Sequence, residues 1–171
     1  MQKQVTFDEA KNTKYPEQVV IAVAKDREGK VNPISVSWTM IVSHDPPMMA
    51  IAIGKTRYSA QTIPHSECFT IVYPSIEMKD QVILFGTESG RDVDKIGLCV
   101  CPTESAKEID SVLLLEAVAN FECQLESYMP AGDHIVFVGR IVASHINTEP
   151  RQRLYVTGPD YQMAAVKERD I

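Results

Sequence analysis

The sequence predicts a mainly β protein whose strands form an antiparallel barrel, with two or three short helices between them. Six or seven segments have strand character, and most are joined by turns. Strands and helices do not alternate as repeated βαβ units, which argues against a parallel Rossmann sheet. Closure into a barrel removes exposed sheet edges. With 171 residues the chain is long enough for one well-buried core, so we expect a single domain over residues 1–171.

The first third of the chain predicts a polar lead-in followed by a hairpin. Residues 1–16 have no sustained period, and residues 18–25 form a strand that a turn at Gly29 joins to a second strand from Asn32. Apolar and hydroxyl residues alternate along that second strand, which predicts one face in the core. The hydroxyl face is either solvated or lies along a polar ligand. The apolar set is Ile34, Val36, Trp38, Met40 and Val42; the hydroxyl set is Ser35, Ser37, Thr39 and Ser43.

The remaining elements follow in order. Pro46-Pro47 predicts a chain reversal into a strand over 48–53. A helix is predicted to begin at Thr56 or Arg57 and to end at Pro64. Residues 68–73 predict a strand, and residues 77–85 a helix that Ser75 caps. Two longer strands, over 112–125 and 135–147, are joined by a wide loop, SYMPAGDH. Residues 150–171 form an appendage whose pattern assigns no element.

Composition excludes several classes of partner. The net charge of -6 argues against nucleic acid or an anionic membrane, because both need a basic surface. No apolar run is long enough to span a bilayer, and the N-terminus has no signal-peptide core, so we expect a cytoplasmic protein. Four cysteines then fit reduced thiols, and packing explains Cys99 and Cys101 better than a zinc site does.

Residues 46–66 form a positive segment in this acidic chain. They contain no carboxylate, and Lys55 and Arg57 are their only charged residues. Arg57, the Ser59 hydroxyl and the start of a helix together suit a phosphate group. The alternative is two solvated basic residues at a helix start. A Walker loop is excluded, because Met49 stands where that loop needs glycine.

Three further residue sets have two interpretations each. Arg91 and Lys95, in a glycine-containing loop, either place positive charge beside an aromatic cofactor or pair with surface carboxylates. Trp38 either lies in the core or flanks a planar ring. His134 is either a surface residue or a residue that faces a redox cofactor or its hydride donor.

Four segments in order resemble the flavin reductase-like family over about residues 17–147. They are NPISVSW, SHDPPMMAIAIGKTRYS, SGRDVDKIG and GDHIVFVGRIV. The resemblance implies an FMN-binding, Greek-key split barrel that forms a homodimer with the flavin near the subunit interface. FMN is expected rather than FAD, and NAD(P)H, for which the chain has no dinucleotide fingerprint, is expected as a transient donor.

The resemblance also implies roles for individual residues. Asn32 and Trp38 match positions that contact flavin, and the hydroxyl strand around Ser37 and Thr39 lies along it. Arg57 and Ser59 match a phosphate-binding pair, in which many relatives have threonine for Ser59. Lys95 and His134 match the basic residue and the histidine that approach the cofactor, so we expect His134 to act in catalysis. The positive charge of Lys55 and Arg91 and the hydroxyl of Ser43 complete the predicted cofactor site.

The predicted function is electron transfer through FMN, from NAD(P)H or a reduced protein to an acceptor. The first alternative is a non-catalytic FMN-binding or storage protein. The second is a split barrel that binds another phosphorylated ring or haem. The sequence leaves the donor, the acceptor and a cofactor contact from Tyr155 or Tyr161 open.

Overall fold

A computed structural model of the chain describes residues 1–165. Helices α1 (Phe7–Lys11), α2 (Ser59–Ser66) and α3 (Lys79–Thr87) accompany a 3-10 turn over Ile76–Met78. The first strands are β1 (Glu17–Gln18), β2 (Val20–Lys25), β3 (Val31–Val36), β4 (Thr39–His44), β5 (Pro47–Gly54) and β6 (Cys68–Tyr73). The others are β7 (Thr103–Ser105), β8 (Val112–Leu114), β9 (Ala119–Ala131), β10 (His134–Ile146), β11 (Leu154–Val156) and β12 (Met163–Ala165).

The main sheet has seven strands in the order β3-β2-β6-β9-β10-β5-β4, and every pair in it is antiparallel. Its two end strands, β3 and β4, follow each other along the chain, and β3 also approaches β5. The sheet therefore curls into a barrel that stays open along a seam between β3 and the β5-β4 pair. This confirms the predicted mainly β antiparallel fold with two or three short helices.

Strand β2 is buried on both faces, which explains its uninterrupted apolar sequence. Val20 and Ala22 point into the barrel interior, where they pack with residues such as Phe137. Ile21 belongs to a second cluster outside the barrel, together with Phe85 of α3. The second cluster fixes α3 against the barrel wall beside the seam.

The long strand predicted from Asn32 onward is in fact two strands. The chain leaves β3 after Val36 and crosses the seam, since β3 pairs with β2 whereas β4 pairs with β5. The predicted core face is therefore wrong beyond Val36: Trp38, Met40 and Val42 are 48%, 59% and 41% exposed. Alternation predicted a pleated strand correctly but did not reveal that its second half lies at a sheet edge.

The wide loop predicted between the last two long strands is also wrong. Strand β9 continues to Ala131, so only Gly132 and Asp133 form the turn before β10. The partner strand β6 ends its pairing at Gln124, so the far half of β9 has one free edge. Pro130 is tolerated on a free edge because its missing N–H group has no ladder bond to make.

Smaller differences concern helix ends and the two termini. Helix α2 continues through Pro64 to Ser66, and Ser75 makes no capping hydrogen bond, so both boundary predictions were wrong. The lead-in forms α1, which buries no residue. Strands β1, β11 and β12 form a separate antiparallel sheet that covers the second core cluster with Leu154. Within residues 1–165, the helices are too short and too polar to cross a membrane.

Candidate functional site

Three adjoining cavities follow the barrel seam, and Arg57 lines all of them. The anion cavity, about 250 Å³, includes Asn32, Arg57, Ser59, Gly90, Arg91 and Lys95 in its lining, together with the carboxylates of Glu88 and Asp92. The seam cavity, about 260 Å³, includes Ser37, Trp38, Gly54, Arg57 and His134. The hairpin cavity, about 450 Å³, includes Ser37, Arg57, Gly86, Tyr161 and Met163. Because the three cavities adjoin around Arg57, they are together called the cleft below.

Lys95 is a buried cation in the anion cavity. Its side chain is 3% exposed, and Nζ donates hydrogen bonds to the carbonyl oxygens of Pro33, at 2.8 Å, and Phe85, at 3.0 Å. Desolvation lowers the pKa of Lys95 to about 8, and repulsion from Arg57 adds to the effect against the attraction of Glu88. Because neither Lys95 nor Arg57 forms an ion pair within residues 1–165, an anion between them would relieve this repulsion.

A buried amide holds the hydroxyl beside these cations. Asn32 Nδ2 donates to Ser59 Oγ at 2.8 Å and approaches Thr62 Oγ1 at 3.4 Å. Ser59, at the start of α2, is 3% exposed and uses a lone pair to accept from Asn32. Its hydroxyl proton therefore remains available to donate to a ligand oxygen.

One polar atom in this cavity has no partner among the described residues. Asn32 Oδ1 is buried and makes no hydrogen bond. The backbone of Gly90 lies so close to it that a Cβ atom there would stand 2.1 Å from Oδ1. Glycine is therefore required at position 90, where the loop packs directly on the Asn32 amide.

The loop that carries Gly90, Arg91 and Lys95 is tied to the barrel from outside. Lys30 Nζ donates to the carbonyl oxygens of Gly90, at 3.1 Å, and Val93, at 3.0 Å. Arg91 lies over the Tyr58 ring, 5.2 Å from its centroid, at the exposed mouth of the cavity. The alternative of surface ion pairs for Arg91 and Lys95 does not occur in the described part of the chain.

The seam cavity is aromatic where the anion cavity is cationic. The rings of Trp38 and His134 lie 4.5 Å apart between centroids, at an interplanar angle of 37°. His134 Nδ1 is 2.7 Å from Asp133 Oδ1, a hydrogen bond that lowers the pKa of Asp133. Gly54 pairs with His134 in the β5-β10 ladder, and a Cβ at Gly54 would lie 3.8 Å from His134 Nε2. These contacts hold the imidazole at the seam.

Three predicted site residues lie outside the lining of these cavities. Lys55 is exposed, and its Nζ donates to the carbonyl oxygen of Gly132. The Thr39 hydroxyl, in β4, is buried and has no hydrogen-bond partner among residues 1–165. Ser43 lies beyond it, next to the irregularity that follows Ile41. The hydroxyl row therefore reaches the cleft only through Ser35 and Ser37, and Ser35 Oγ already donates to the carbonyl of Val82 at 2.6 Å.

The structure brings together the other predicted residues and adds some that the sequence did not indicate. Asn32, Ser37, Trp38, Arg57, Ser59, Arg91, Lys95 and His134 all line the cleft. Gly90 could have been found, because its loop is glycine-containing and charged. Nothing in the sequence indicates that Lys30 holds this loop, because a lysine after a turn is common. Tyr161, one of the two tyrosines that the sequence left open as a cofactor contact, lines the hairpin cavity, whereas Met163 reaches it through long-range pairing of the C-terminal hairpin.

The cysteines take no part in this cleft. All four are free thiols, and Cys99 and Cys101 pack against the second core cluster. Burial raises the pKa of the Cys101 thiol to about 12. Within residues 1–165 no group of three or more histidine, cysteine or acidic side chains is placed to hold a metal ion.

These features suit a phosphate monoester joined to a planar ring. The anion cavity supplies the cations Arg57 and Lys95 and the hydroxyl of Ser59. The adjoining seam cavity supplies the aromatic rings of Trp38 and His134. The Asn32 amide, covered by the Gly90 loop, fixes the Ser59 hydroxyl at the cationic end. The fold is that of a split-barrel protein, and the chemistry of its cleft suits a phosphorylated aromatic ligand.

Comparison with known proteins gives the family. Residues 12–163 match the flavin reductase like domain. A protein of Pyrococcus abyssi without an assigned function is 32% identical over 130 residues, which are 75% of this chain and 73% of that protein. The chain belongs to the flavin reductase-like family, as its sequence motifs predicted. An NADH-dependent FMN reductase of Streptomyces nodosus is 28% identical over 116 residues, 66% of this chain and 60% of that protein.

Solved structures show the same fold. Flavoredoxin from Methanosarcina acetivorans superposes with a TM-score of 0.86 at 23% identity, covering 99% of this chain and 93% of that one. An NADH:FAD oxidoreductase of Streptomyces globisporus superposes with a TM-score of 0.83 at 17% identity, covering 98% and 99%. The chain spans about half to two thirds of the length of several other curated relatives. The family is one of flavin-related electron transfer.

Proposed function

We propose that the chain binds FMN along the seam and transfers electrons through it from NAD(P)H or a reduced protein to an acceptor. The observation that carries this proposal is the anion cavity, where Arg57 and buried Lys95 lie together without a carboxylate partner in the described residues. Lys95 is buried beside the exposed Arg57, and a buried cation next to a like charge is costly unless an anion accompanies it. The FMN phosphate would be that anion.

The residues of the cleft divide the work of binding. Arg57 offers a planar fork for two phosphate oxygens, Ser59 a hydroxyl donor, and Lys95 a point charge. Ser37, Trp38 and His134 lie where an attached ring system would extend, and they would orient it and limit its contact with water. The flavin, when bound, supplies the redox chemistry, and the protein supplies orientation and electrostatics.

FMN is favoured over FAD by the far wall of the anion cavity. Tyr58 forms this wall, with Arg91 stacked on it and its hydroxyl 3.2 Å from Asp26 Oδ2. Beyond Tyr58 lies a further cavity, about 440 Å³, whose lining includes the carboxylates of Asp26 and Glu28. The further cavity sets two carboxylates against the single cation of Arg27, whereas the anion cavity sets three cations against two carboxylates. A second phosphate would therefore meet a less favourable charge than the first, and the site suits a terminal monophosphate better than a pyrophosphate.

The test is an anaerobic titration of the purified protein with FMN, FAD and riboflavin, followed by addition of NADH, NADPH or a reduced ferredoxin. We expect FMN to bind most tightly and the oxidised flavin band at about 450 nm to bleach with at least one donor. Failure of the protein to take up FMN would refute the flavin site. Binding without bleaching by any donor would instead support the alternative of a non-catalytic FMN-binding or storage protein.

A homodimer is part of the proposal, and the edge strand β4 supports it. Met40, Ile41 and Val42 are 59%, 59% and 41% exposed in succession, and Trp38 continues this apolar edge into the seam cavity. A hydrophobic edge strand left in water invites pairing with another chain. A second copy would cover this edge and close the seam cavity from outside.

Solution mass measures this contact directly. We expect a dimer by light scattering for the native protein and a monomer for Ile41→Glu, which places a charge in the apolar edge. Ile146→Glu is the matched control, because Ile146 is 82% exposed at the other end of β10 and should remain dimeric. A native monomer, or a dimer that survives Ile41→Glu, would move the interface elsewhere.

We also propose a cytoplasmic location. Its support is the set of four free cysteines, a usage typical of a reducing compartment. Cell fractionation with a thiol-labelling step would test it: recovery in the cytosolic fraction with all thiols reduced is expected, and recovery outside the cytosol would contradict it.

A further inference from the structure

The hairpin cavity is the acidic part of the cleft. Its lining includes the carboxylates of Glu17 and Asp160, and among residues 1–165 Arg57 is the only cation in it. The anion cavity instead sets three cations against two carboxylates. In the FMN-loaded protein the phosphate would offset the charge of Arg57, so a second ligand in the hairpin cavity would face mainly negative charge.

Glu17 is held in the wall of this cavity by neighbouring contacts. It pairs with Val156 in the β1-β11 ladder, and its side chain is 17% exposed. Lys14 Nζ donates to Glu17 Oε1 at 2.5 Å; Lys14 lines the seam cavity but not the hairpin cavity, whereas Glu17 lines both. Within residues 1–165 the other carboxylate oxygen, Oε2, makes no hydrogen bond, so it is available to a ligand.

The fold does not account for these two carboxylates. The ion pair of Glu17 joins partly exposed side chains, and such a pair contributes little to stability. Asp160 is exposed and forms no ion pair within residues 1–165. Negative charge in the cleft also opposes the binding of an anionic cofactor. The hairpin cavity therefore suits a second ligand, and a cationic one.

Hydride transfer from a nicotinamide donor creates such a cation. The C4–H bond of the neutral dihydronicotinamide breaks, and the hydride takes both bonding electrons to the flavin. The ring left behind is a planar pyridinium cation. Carboxylates preorganised beside this ring would stabilise the positive charge as it develops. A protein that donates single electrons places no such cation in the cavity.

We propose that Glu17, assisted by Asp160, makes the hairpin cavity a subsite for a pyridinium cation, the oxidised nicotinamide ring of the donor. This inference rests on the proposed flavin site, and it selects a nicotinamide nucleotide over a reduced protein as the electron donor. Glu17 acts through its charge, so a neutral ring of the same shape gains less from it.

The test compares two rings that differ in charge. 1-Methylnicotinamide is a pyridinium cation, and nicotinamide is its neutral counterpart with the same carboxamide group. We expect the FMN-loaded native protein to bind the cation about tenfold more tightly than the neutral ring, by calorimetric titration. Glu17→Gln, which keeps the shape of the side chain, should lower this ratio about fivefold, and Asp160→Asn, at a more exposed carboxylate, about twofold.

Glu149→Gln is the matched control. Glu149 also pairs with a cation, Arg151, but it lies outside the lining of the three cavities. This variant should leave the ratio unchanged. The Kd for FMN should stay the same or fall in Glu17→Gln, because the variant removes a negative charge from the cleft. Melting curves establish that each variant is folded.

Four results would overturn the proposal. They are equal affinity of the native protein for both rings, no detectable binding of the cation, an unchanged ratio in folded Glu17→Gln, and a ratio lowered as much in Glu149→Gln. The last of these would show an effect of net charge and not of the subsite. Failure of the native protein to bind FMN would instead refute the underlying flavin site.

Discussion

The two ends of the cleft are built in opposite ways. At the anion cavity, Asn32, Ser59 and Lys95 are buried and fixed by hydrogen bonds to neighbouring elements. At the seam and hairpin cavities, Trp38 and Tyr161 are about half exposed, in the connection before edge strand β4 and in a turn with positive φ angles. The anion end is preorganised for one small group, whereas the aromatic end is open to exchange. Such a division suits a protein that keeps its cofactor and changes its redox partners.

The largest effect that would test this contrast is expected at Arg57, which lines all three cavities of the cleft. Arg57→Ala should raise the Kd for FMN about 100-fold, because it removes charge-assisted hydrogen bonds to the phosphate. The Kd for riboflavin, which lacks the phosphate, should rise about threefold or less. Fluorescence titration measures both.

Lys55→Ala is the matched control, since Lys55 is a basic residue of the same segment that bonds Gly132 outside the cleft. It should leave the Kd for FMN nearly unchanged. An equal loss of affinity for FMN and riboflavin in Arg57→Ala would show that the phosphate does not bind in the anion cavity.

The rigidity of the anion end is tested at Gly90. Gly90→Ala places a methyl group 2.1 Å from Asn32 Oδ1, so either the loop or the amide must move. We expect about a 20-fold weaker affinity for FMN, because displacement of Asn32 releases Ser59. Gly86→Ala is the control on the same cleft: its new Cβ would lie 3.5 Å from Ser35 Cβ, an ordinary contact. Similar affinities for the two variants would show that the loop is adaptable.

The open end is tested at His134. His134→Ala should slow flavin reduction by NAD(P)H about tenfold while the Kd for FMN changes about threefold or less, because the imidazole lies at the aromatic cavity and not at the phosphate. Asp133→Asn, which keeps the ring but weakens its 2.7 Å contact, should have a smaller effect. Stopped-flow bleaching measures the rate, and an unchanged rate in His134→Ala would exclude this histidine from the transfer step.

The smallest effect is a pH dependence from Lys95, whose pKa is lowered to about 8. Lys95 is charged below this pH and neutral above it, so the affinity for FMN relative to riboflavin should fall about fivefold from about pH 7 to about pH 9. Lys95→Met should abolish this dependence. If the ratio of the affinities of the native protein for FMN and riboflavin stays constant over this pH range, the phosphate does not bind beside Lys95.

The stability of the apoprotein should change with pH in the opposite direction. Between about pH 8 and about pH 10.5 the unfolded state binds more protons than the folded state, because Lys95 has its lower pKa only when it is buried. The free energy of unfolding should therefore gain a favourable contribution from Lys95 as pH rises through this window. Comparison with Lys95→Met by urea unfolding isolates that contribution.

The features that depend on local sequence were predicted from the local pattern. The antiparallel barrel, the strand β2 and the basic helix start at Arg57 and Ser59 follow from spacing, composition and turn chemistry. The family motifs added Asn32 and selected the cofactor role for Lys95 and His134, which lie far apart in sequence. The seam between β3 and β4 was not predictable, because the alternation from Ile34 to Val42 continues across the break and only strand pairing reveals it.

Other parts of the site depend on long-range contacts that leave no local signal. Lys55 and Arg57 are equivalent in the sequence, but Lys55 turns toward Gly132 while Arg57 enters the cleft. Tyr161 reaches the hairpin cavity because β11 pairs with both β1 and β12. Gly90 is required by the side chain of Asn32, which is distant in sequence, so a glycine that looked like a loop residue is a packing requirement.

The central claim is that the anion cavity holds the phosphate of FMN. Calorimetric titration of the native protein at about pH 7 with FMN and, separately, with riboflavin tests it most directly. The structure predicts that FMN binds at least about 100-fold more tightly than riboflavin, with one site per chain. Equal affinity for the two ligands, or no binding of FMN, would contradict the claim.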